Sequence, residues 1–162
     1  MCVTVPCDAP VALIADIPNS QLRGSSFYYN DARYSYRRSR LNTLYNDDGR
    51  GGVAGWEANT VDPGEYIQAD FGELKRVQRI ATQGSGGSGK WVTSYSLHYS
   101  TDGVTYVAVQ ADDGTGDRVF VGNVDSWTAV ENSFNVLMTR YVRLYTISIR
   151  NGNGLRWELY GC

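Results

Sequence analysis

Apolar and polar residues alternate with a period of two along much of this chain, and no segment has the 3.6-residue period of a helix. In residues 91–100, for example, Tyr95, Leu97 and Tyr99 share one face, and the residues between them are Ser or His. This alternation predicts an antiparallel strand with one buried face. Strands are predicted in the same way for residues 66–71, 141–147 and 155–160, and shorter ones for residues 77–82, 105–110 and 118–121.

Turn signals separate these predicted strands. Asp102-Gly103 predicts a two-residue hairpin, and Asn-Gly-Asn-Gly at residues 151–154 separates the last two strands. Many short strands joined by such turns predict an all-β sandwich or barrel. Residues 27–58 differ because they are polar, rich in aromatic side chains and without a period. A loop region of this size inside a compact domain is usually functional, and its aromatic content argues against disorder.

The composition limits the size and class of the protein. Its 162 residues correspond to one domain, and 42% hydrophobic residues suit a folded core. The longest apolar run, residues 11–15, is far shorter than the roughly 20 residues of a membrane span, so we expect no transmembrane segment. A formal net charge of -2 argues against a nucleic-acid partner.

Few residues can carry catalysis. His98 is the only histidine, so neither a hydrolytic triad nor a histidine-based metal site is expected. Residues 84–90 begin like a phosphate-binding loop, but Trp91 stands where that motif needs Ser or Thr, and a strand is predicted to follow. The 17 acidic residues leave a paired-carboxylate glycosidase site open, although nothing singles out a pair.

The acidic turn at residues 46–49 offers hard oxygen ligands. Asp47 and Asp48, with nearby carbonyls, form a candidate calcium site, although their spacing does not match an EF-hand. The alternative is an ordinary Asp/Gly surface turn. Apart from calcium at this turn, we expect no cofactor.

The three cysteines lie at the two ends of the chain: Cys2, Cys7 and Cys162. An odd number allows one intramolecular pair and one leftover. A bridge from one of the N-terminal cysteines to Cys162 would close nearly the whole chain into one loop and would indicate an oxidising compartment. Three unpaired thiols in a cytosolic protein are the alternative.

Arginine greatly outnumbers lysine, with 13 Arg against Lys75 and Lys90. Arginine makes planar, bidentate and stacked contacts rather than diffuse charge. Residues 31–40 place four Arg among two Tyr, a composition that binds anionic lipids, sulfated glycans or acidic protein surfaces. The alternative is a solvated loop whose arginines pair with internal carboxylates.

Six blocks of sequence follow one another along nearly the whole chain. They are Ile17-Pro18-Asn19-Ser20-Gln21-Leu22, Ser39-Arg40-Leu41, Glu65-Tyr66-Ile67-Gln68-Ala69-Asp70-Phe71-Gly72, Phe120-Val121-Gly122-Asn123-Val124-Asp125, Arg140-Tyr141-Val142-Arg143-Leu144 and Leu155-Arg156-Trp157-Glu158-Leu159-Tyr160-Gly161-Cys162. Together these blocks resemble the discoidin domain, also called the coagulation factor V/VIII type C domain.

The resemblance implies an all-β fold: an eight-stranded antiparallel jelly-roll sandwich or barrel with protruding ligand-binding loops at one end. It implies a disulfide bond between Cys7 and Cys162, so that the domain covers residues 7–162. Residues 1–6, with Cys2, are then an N-terminal remnant or linker. It also implies a non-catalytic, extracellular binding or cell-adhesion module whose binding loops match residues 29–36, 85–91 and 148–154.

The loop residues set the expected ligand. Family members that insert into membranes carry bulky apolar residues at the loop tips, whereas the tips here, residues 30–33 and 85–89, are polar. Aromatic faces combined with Arg side chains suit a sugar ring or a polar peptide. The candidate ligand-binding residues are Arg33, Tyr34, Tyr36, Arg37, Lys90, Trp91, Arg150 and Asn151.

The expected partner is a glycan or an extracellular-matrix protein such as collagen, bound by a secreted or cell-surface protein with lectin-like carbohydrate binding. Two alternatives stay open. One is peripheral binding to anionic phospholipid headgroups through Arg33, Arg37 and Arg150. The other is a role as the accessory carbohydrate-binding module of a larger enzyme.

Overall fold

The structure is a computed structural model that describes residues 5–162. Within this range the chain forms nine strands and four short 3-10 turns. The strands are β1 Val11–Ala12, β2 Leu22–Gly24, β3 Trp56–Glu57, β4 Tyr66–Gln83, β5 Trp91–Ser100, β6 Val107–Ala108, β7 Phe120–Val121, β8 Val130–Arg150 and β9 Gly154–Gly161. The 3-10 turns are Asn19–Gln21, Tyr28–Asn30, Ala32–Tyr34 and Tyr36–Ser39.

All strand pairings are antiparallel, and the predicted all-β jelly-roll fold is confirmed. The strand order is β1-β9-β4-β8-β5-β6, with β2 paired to β4, β3 to β9 and β7 to β5. The described residues form nine strands rather than the expected eight, and four of the nine are only two residues long.

Two of the strands are longer than the sequence pattern predicts. Residues 66–71 and 77–82 form one strand, β4, whose register against β8 shifts between Asp70 and Lys75. Gly72 lies in that shift with a φ of 77°, a conformation that favours glycine. A second shift between Val77 and Arg79 interrupts the alternation of β8, so its first half was not predicted.

Alternate residues of the central strands form the hydrophobic core. Trp56 of β3 and Trp157 of β9 are both 0% exposed, and Leu144 of β8 packs in the same cluster. The opposite face of β9 was expected to be solvated, and this was wrong. Arg156 and Glu158 are 1% and 4% exposed because loops from distant parts of the chain cover them.

The turn after β5 also differs from its prediction. β5 ends at Ser100 and β6 begins at Val107, so the connection has six residues rather than two. The Asp102 carboxylate accepts hydrogen bonds from the backbone N–H groups of Val104 and Thr105, at 2.8 and 2.9 Å. This side-chain cap stabilises a wider turn than Asp-Gly normally forms.

A disulfide bond joins residues near the two ends of the described chain. Cys7 and Cys162 are bonded with their Cα atoms 6.0 Å apart, as the resemblance implied. Beside them, the backbone N–H of Cys162 donates to the carbonyl of Arg76, which ties the C-terminus to β4. Cys2 lies outside the described residues, so its role as a leftover cysteine stays a prediction.

Candidate ligand-binding site

Two loops meet at the end of the barrel opposite the disulfide. Residues 84–90 connect β4 to β5, and residues 151–153 connect β8 to β9. Asn151 joins them, because its Nδ2 donates a hydrogen bond to the carbonyl of Gly89 at 2.9 Å. Two of the three predicted binding loops therefore lie side by side.

Glycines let these loops pack closely around Lys90. A Cβ on Gly154 would lie only 2.8 Å from the Cβ atoms of both Lys90 and Ser85. A Cβ on Gly152 would lie 3.2 Å from Lys90 Cδ. Larger residues at these two positions would push the lysine side chain away, so the glycines determine where Lys90 runs.

A buried carboxylate, which the sequence analysis missed, anchors Lys90. The Glu57 side chain is 2% exposed, and its Oε2 lies 2.6 Å from Lys90 Nζ. The hydroxyl of Ser85 donates to Glu57 Oε1 at 2.8 Å. The Lys90 side chain stays 27% exposed. The ion pair therefore fixes one cation at the surface, with part of its side chain accessible to a ligand.

A tyrosine cluster borders this cation. The ring centroids of Tyr28 and Tyr34 are 5.1 Å apart in an edge-to-face arrangement, and Tyr29 packs on Tyr28 at 4.5 Å. Lys90 Nζ lies 5.4 Å from the Tyr28 ring centroid, within cation–π range. Tyr34 was a predicted site residue, whereas Tyr28 and Tyr29 were not. The only feature of the sequence that pointed to them was two consecutive tyrosines where the first binding loop begins.

The backbone of the first loop has an unusual conformation at its tip. Tyr29 and Asn30 have φ values of 50° and 53°. Positive φ is uncommon for an aromatic residue and persists only where the surroundings impose it, often at binding sites. The Tyr29 side chain is 78% exposed at this tip. The electrostatic influence of Tyr29, followed by burial, raises the pKa of Tyr28.

Arg33 lies next to the tyrosine cluster with its charge partly neutralised. Its Nη2 is 2.6 Å from Asp31 Oδ2, and its guanidinium carbon is 5.9 Å from the Tyr34 ring centroid. Hydrogen bonds from Arg33 lower the pKa of Asp31, so that this carboxylate stays ionised. The Arg33 side chain is 50% exposed, which leaves N–H groups available to a polar ligand.

Tyr36 and Arg37, two predicted site residues of the first loop, are not brought into the cluster. The Tyr36 hydroxyl donates to the carbonyl of Gly24 at 3.0 Å, and its ring packs on Phe27 beside the core. Arg37 Nη2 lies 2.8 Å from Asp48 Oδ2. Both side chains make contacts that stabilise the first loop and are not part of the tyrosine cluster.

Trp91 and Arg150 lie directly under the two loops. They are opposite each other in the pairing of β5 with β8. Trp91 is half-buried, and Arg150 is exposed at the end of its strand. Arg150 forms no ion pair with any residue between 5 and 162. It is therefore an available cation at the rim of the site.

The candidate calcium ligands lie in a small cavity of about 220 Å³ that arginines also line. The two carboxylate oxygens of Asp48 lie 2.8 and 2.9 Å from Arg37 and Arg38. Asp47 Oδ2 accepts the backbone N–H of Leu44 at 2.8 Å. In the described part of the chain, no three His, Cys, Asp or Glu side chains form a group that could hold a metal ion.

The sequence matches the family model of the F5/8 type C domain over residues 23–159. The chain belongs to this family, the discoidin domains, and it is a non-catalytic binding module. None of the described helical turns has the length and apolar character that a membrane span requires.

Curated relatives are longer than this chain. Lactadherin of Rattus norvegicus is 36% identical over 149 residues, which are 90% of this chain and 34% of lactadherin. Neuropilin-2 of Homo sapiens is 34% identical over 162 residues, which are 96% of this chain and 16% of neuropilin-2. The chain thus spans about a third of lactadherin and about a sixth of neuropilin-2.

Solved structures share the fold. Discoidin II of Dictyostelium discoideum superimposes with a TM-score of 0.79 and 29% identity, covering 97% of this chain and 60% of discoidin II. A carbohydrate-binding module of Clostridium perfringens, solved in complex with GalNAc-β-1,3-galactose, has a TM-score of 0.60 and 16% identity. This match covers 93% of this chain and 99% of the module.

Proposed function

We propose that the chain recognises a glycan through the site formed by Tyr28, Tyr34, Lys90 and Arg33. The observation that carries this proposal is the Lys90 ammonium, held by buried Glu57 and lying 5.4 Å from the Tyr28 ring centroid. Tyrosine rings offer apolar faces to the C–H side of a sugar, while fixed cations and hydroxyls hydrogen-bond its oxygens. The site is pre-organised, which lowers the entropic cost of binding.

Two further findings support a sugar as the ligand. Arg33 and Arg150 are exposed cations on the rim, so a carboxylated or sulfated sugar also finds partners there. The carbohydrate-binding module with the same fold was solved with GalNAc-β-1,3-galactose, and a chitosan-binding module of Paenibacillus with chitotriose. These two modules are only 16% and 14% identical to this chain, so they illustrate a use of the fold rather than a shared site.

An extracellular-matrix protein such as collagen and an anionic phospholipid are the competing partners. The exposed large apolar side chain of the first loop is Tyr29, whose hydroxyl makes it a poor wedge for the acyl region of a bilayer. Headgroup binding would instead depend on Arg33 and Arg150, and salt would weaken it steeply. Stacking on a neutral sugar depends little on salt.

The disulfide bond supports an extracellular compartment. We place the protein outside the cell, secreted or at the cell surface, because a bridge between Cys7 and Cys162 persists in an oxidising environment. Residues 7–162 would form the domain, and Cys2 would belong to a preceding linker. A role as the accessory module of a larger enzyme is the alternative.

A binding panel tests the proposal. Chito-oligosaccharides and β-1,3-linked galactosides, fibrillar collagen and phosphatidylserine vesicles would be titrated into the wild type and into the double variant Tyr28→Ala/Tyr34→Ala. We expect an oligosaccharide to bind the wild type with little dependence on NaCl, and the double variant to lose that binding. Tyr160→Ala is the matched control, because this tyrosine stacks on Arg79 at the far end of β9, about 20 Å away. Binding to collagen or vesicles alone would contradict the proposal.

A further inference from the structure

Trp127 is a large aromatic side chain that remains on the surface beside the loop of residues 84–90. Trp56 and Trp157 are 0% exposed, whereas Trp127 is 52% exposed. Its ring lies against Gly86, where a Cβ would come within 2.5 Å of the indole Cη2. The glycine therefore makes room for the indole at this position.

The backbone of Trp127 is firmly held. Asp125 Oδ1 accepts hydrogen bonds from the N–H groups of Trp127 and Thr128, at 2.8 and 2.6 Å. On the other side, Gln83 Nε2 donates to the carbonyl of Trp127 at 2.9 Å. An exposed aromatic that is fixed in this way loses little conformational entropy when a ligand stacks on it.

A buried arginine supports the indole ring. Arg156 is 1% exposed, and its guanidinium carbon lies 5.1 Å from the Trp127 ring centroid. It donates to the carbonyls of Gly84, Thr43 and Ser126 at 2.7 to 2.9 Å, and it has no carboxylate partner among residues 5–162. Burial lowers the pKa of Arg156 to about 10, so it remains charged at neutral pH. Arg156 thus supports the ring from inside the protein, and the exposed half of the ring is left to solvent.

Trp127 and Lys90 lie on opposite flanks of the same loop. Ser85 points toward Glu57 and Lys90, as its hydrogen bond to Glu57 shows. Successive residues of an extended segment point to opposite faces, and Gly86 accordingly faces Trp127. Beyond Gly86, Gly87 and Gly89 carry no side chains, and a Cβ added at either position would meet no atom within 4 Å.

We propose that Trp127 is a second sugar-stacking subsite, and that the chain binds an extended neutral oligosaccharide whose rings contact both flanks of the 84–90 loop. This inference rests on the proposed glycan recognition at Tyr28, Tyr34 and Lys90. A monosaccharide fills one flank only, because Ser85 and Gly86 face opposite sides of the loop, which therefore separates the two aromatic sites.

A membrane contact is the competing use of this surface. Trp127 lies in the loop of residues 122–129, between β7 and β8, and Val124 in this loop is 77% exposed, so the loop has a second exposed apolar side chain. However, the indole packs on Gly86 and Arg156 rather than projecting as a wedge, and the Asp125 carboxylate beside it repels anionic headgroups. Both features favour a flat, neutral ligand.

Titration calorimetry with oligosaccharides of one to six rings tests the subsite. For the wild type, we expect affinity to rise with the number of rings. Trp127→Ala should weaken binding of the six-ring ligand about 3- to 10-fold and leave one-ring binding unchanged. Trp127→Phe should keep most of the affinity. Val124→Ala is the matched control, since it removes exposed apolar surface from the same loop without removing an aromatic face, and it should bind every ligand like the wild type.

An independent readout is the indole Nε1–H signal of Trp127 in ¹⁵N NMR spectra, assigned by its absence in Trp127→Phe. We expect it to shift with the six-ring ligand and not with the one-ring ligand. If Trp127→Ala binds all lengths like the wild type while Tyr28→Ala/Tyr34→Ala fails, the second subsite is wrong and the proposed function stands. If no oligosaccharide binds the wild type, both proposals fail. If Trp127→Ala and Val124→Ala reduce binding to phosphatidylserine vesicles and leave oligosaccharide binding unchanged, the loop is a membrane contact and the subsite is wrong.

Discussion

The ammonium of Lys90 lies 2.6 Å from the Glu57 carboxylate, and only the lysine of this pair reaches solvent. The protein contains a second Lys–Glu pair with the same separation, Lys75 with Glu73, in which the carboxylate side chain is 70% exposed. The two lysines are similarly exposed, at 27% and 30%. The pairs therefore differ mainly in the burial of the carboxylate.

This comparison predicts how stability depends on each lysine. Lys90→Met should lower the free energy of unfolding by about 1–3 kcal/mol, because it leaves the Glu57 carboxylate buried without its cation. Lys75→Met should cost less than about 1 kcal/mol, since its partner is solvated. Urea unfolding of both variants measures the difference. Equal losses would show that the burial of Glu57 does not matter.

The ion pair between Asp70 and Arg140 predicts part of the response to acid. Arg140 Nε lies 2.7 Å from Asp70 Oδ1. This hydrogen bond, supported by the N–H of Gly72, lowers the pKa of Asp70 below its unfolded value. The unfolded chain therefore binds the proton more readily than the folded one. The stabilisation by Asp70 is present above the unfolded pKa of about 3.9 and is lost as the pH falls through the folded value.

Asp70→Asn tests this pH dependence. The difference in unfolding free energy between the wild type and Asp70→Asn should be constant above about pH 5 and should shrink as the pH falls below about 4. Urea unfolding from pH 2.5 to pH 7 provides the measurement. Arg140→Gln should reduce the acid dependence in the same way. A difference that does not change with pH would contradict the lowered pKa.

The arginines around Asp48 predict the response to calcium. Arg37 and Arg38 already occupy both oxygens of this carboxylate, so a cation would have to displace two guanidinium groups. We expect the melting temperature to be the same, within about 1 °C, in millimolar calcium chloride and in EGTA. A higher melting temperature in calcium chloride than in EGTA, lost in both Asp47→Asn and Asp48→Asn, would instead establish the calcium site.

Strands with clean alternation were predictable from the sequence. Residues 91–100 were predicted as a strand, and β5 covers Trp91–Ser100. Side chains of a strand face the core and the other side in turn, so the local pattern of apolar and polar residues is enough to predict β5. The predicted loops at residues 85–91 and 148–154 also lie together, because they connect strands that pair with each other.

The parts that were missed depend on contacts between residues far apart in the chain. Glu57 is 33 residues from Lys90, and nothing near Glu57 in sequence shows that it is buried under a loop. Arg156 and Glu158 occupy strand positions that the alternation assigns to solvent. They are buried because segments 113 and 144 residues away, at Thr43 and Ile14, fold over β9. The alternation of residues within β9 cannot show that distant segments of the chain will cover its outer face.

Glu158 is the clearest case of a polar residue made structural by distant contacts. Its carboxylate accepts hydrogen bonds from the backbone N–H groups of Leu13, Ile14 and Ala15, at 3.1, 2.6 and 2.9 Å, and from Leu159 at 2.9 Å. It thereby ties the segment after β1 to the end of β9 beside the disulfide bond.

Glu158→Gln should therefore be costly although it is nearly isosteric. The amide replaces one acceptor oxygen with an N–H₂ group that faces backbone donors, and it removes the charge that strengthens the remaining bonds. We expect the free energy of unfolding to fall by about 2–4 kcal/mol. Glu131→Gln is the matched control, because Glu131 is 53% exposed and lies 3.6 Å from Arg79, and it should cost less than about 0.5 kcal/mol. Similar losses in the two variants would show that the four N–H groups find other acceptors, and that Glu158 does not hold the N-terminal segment in place.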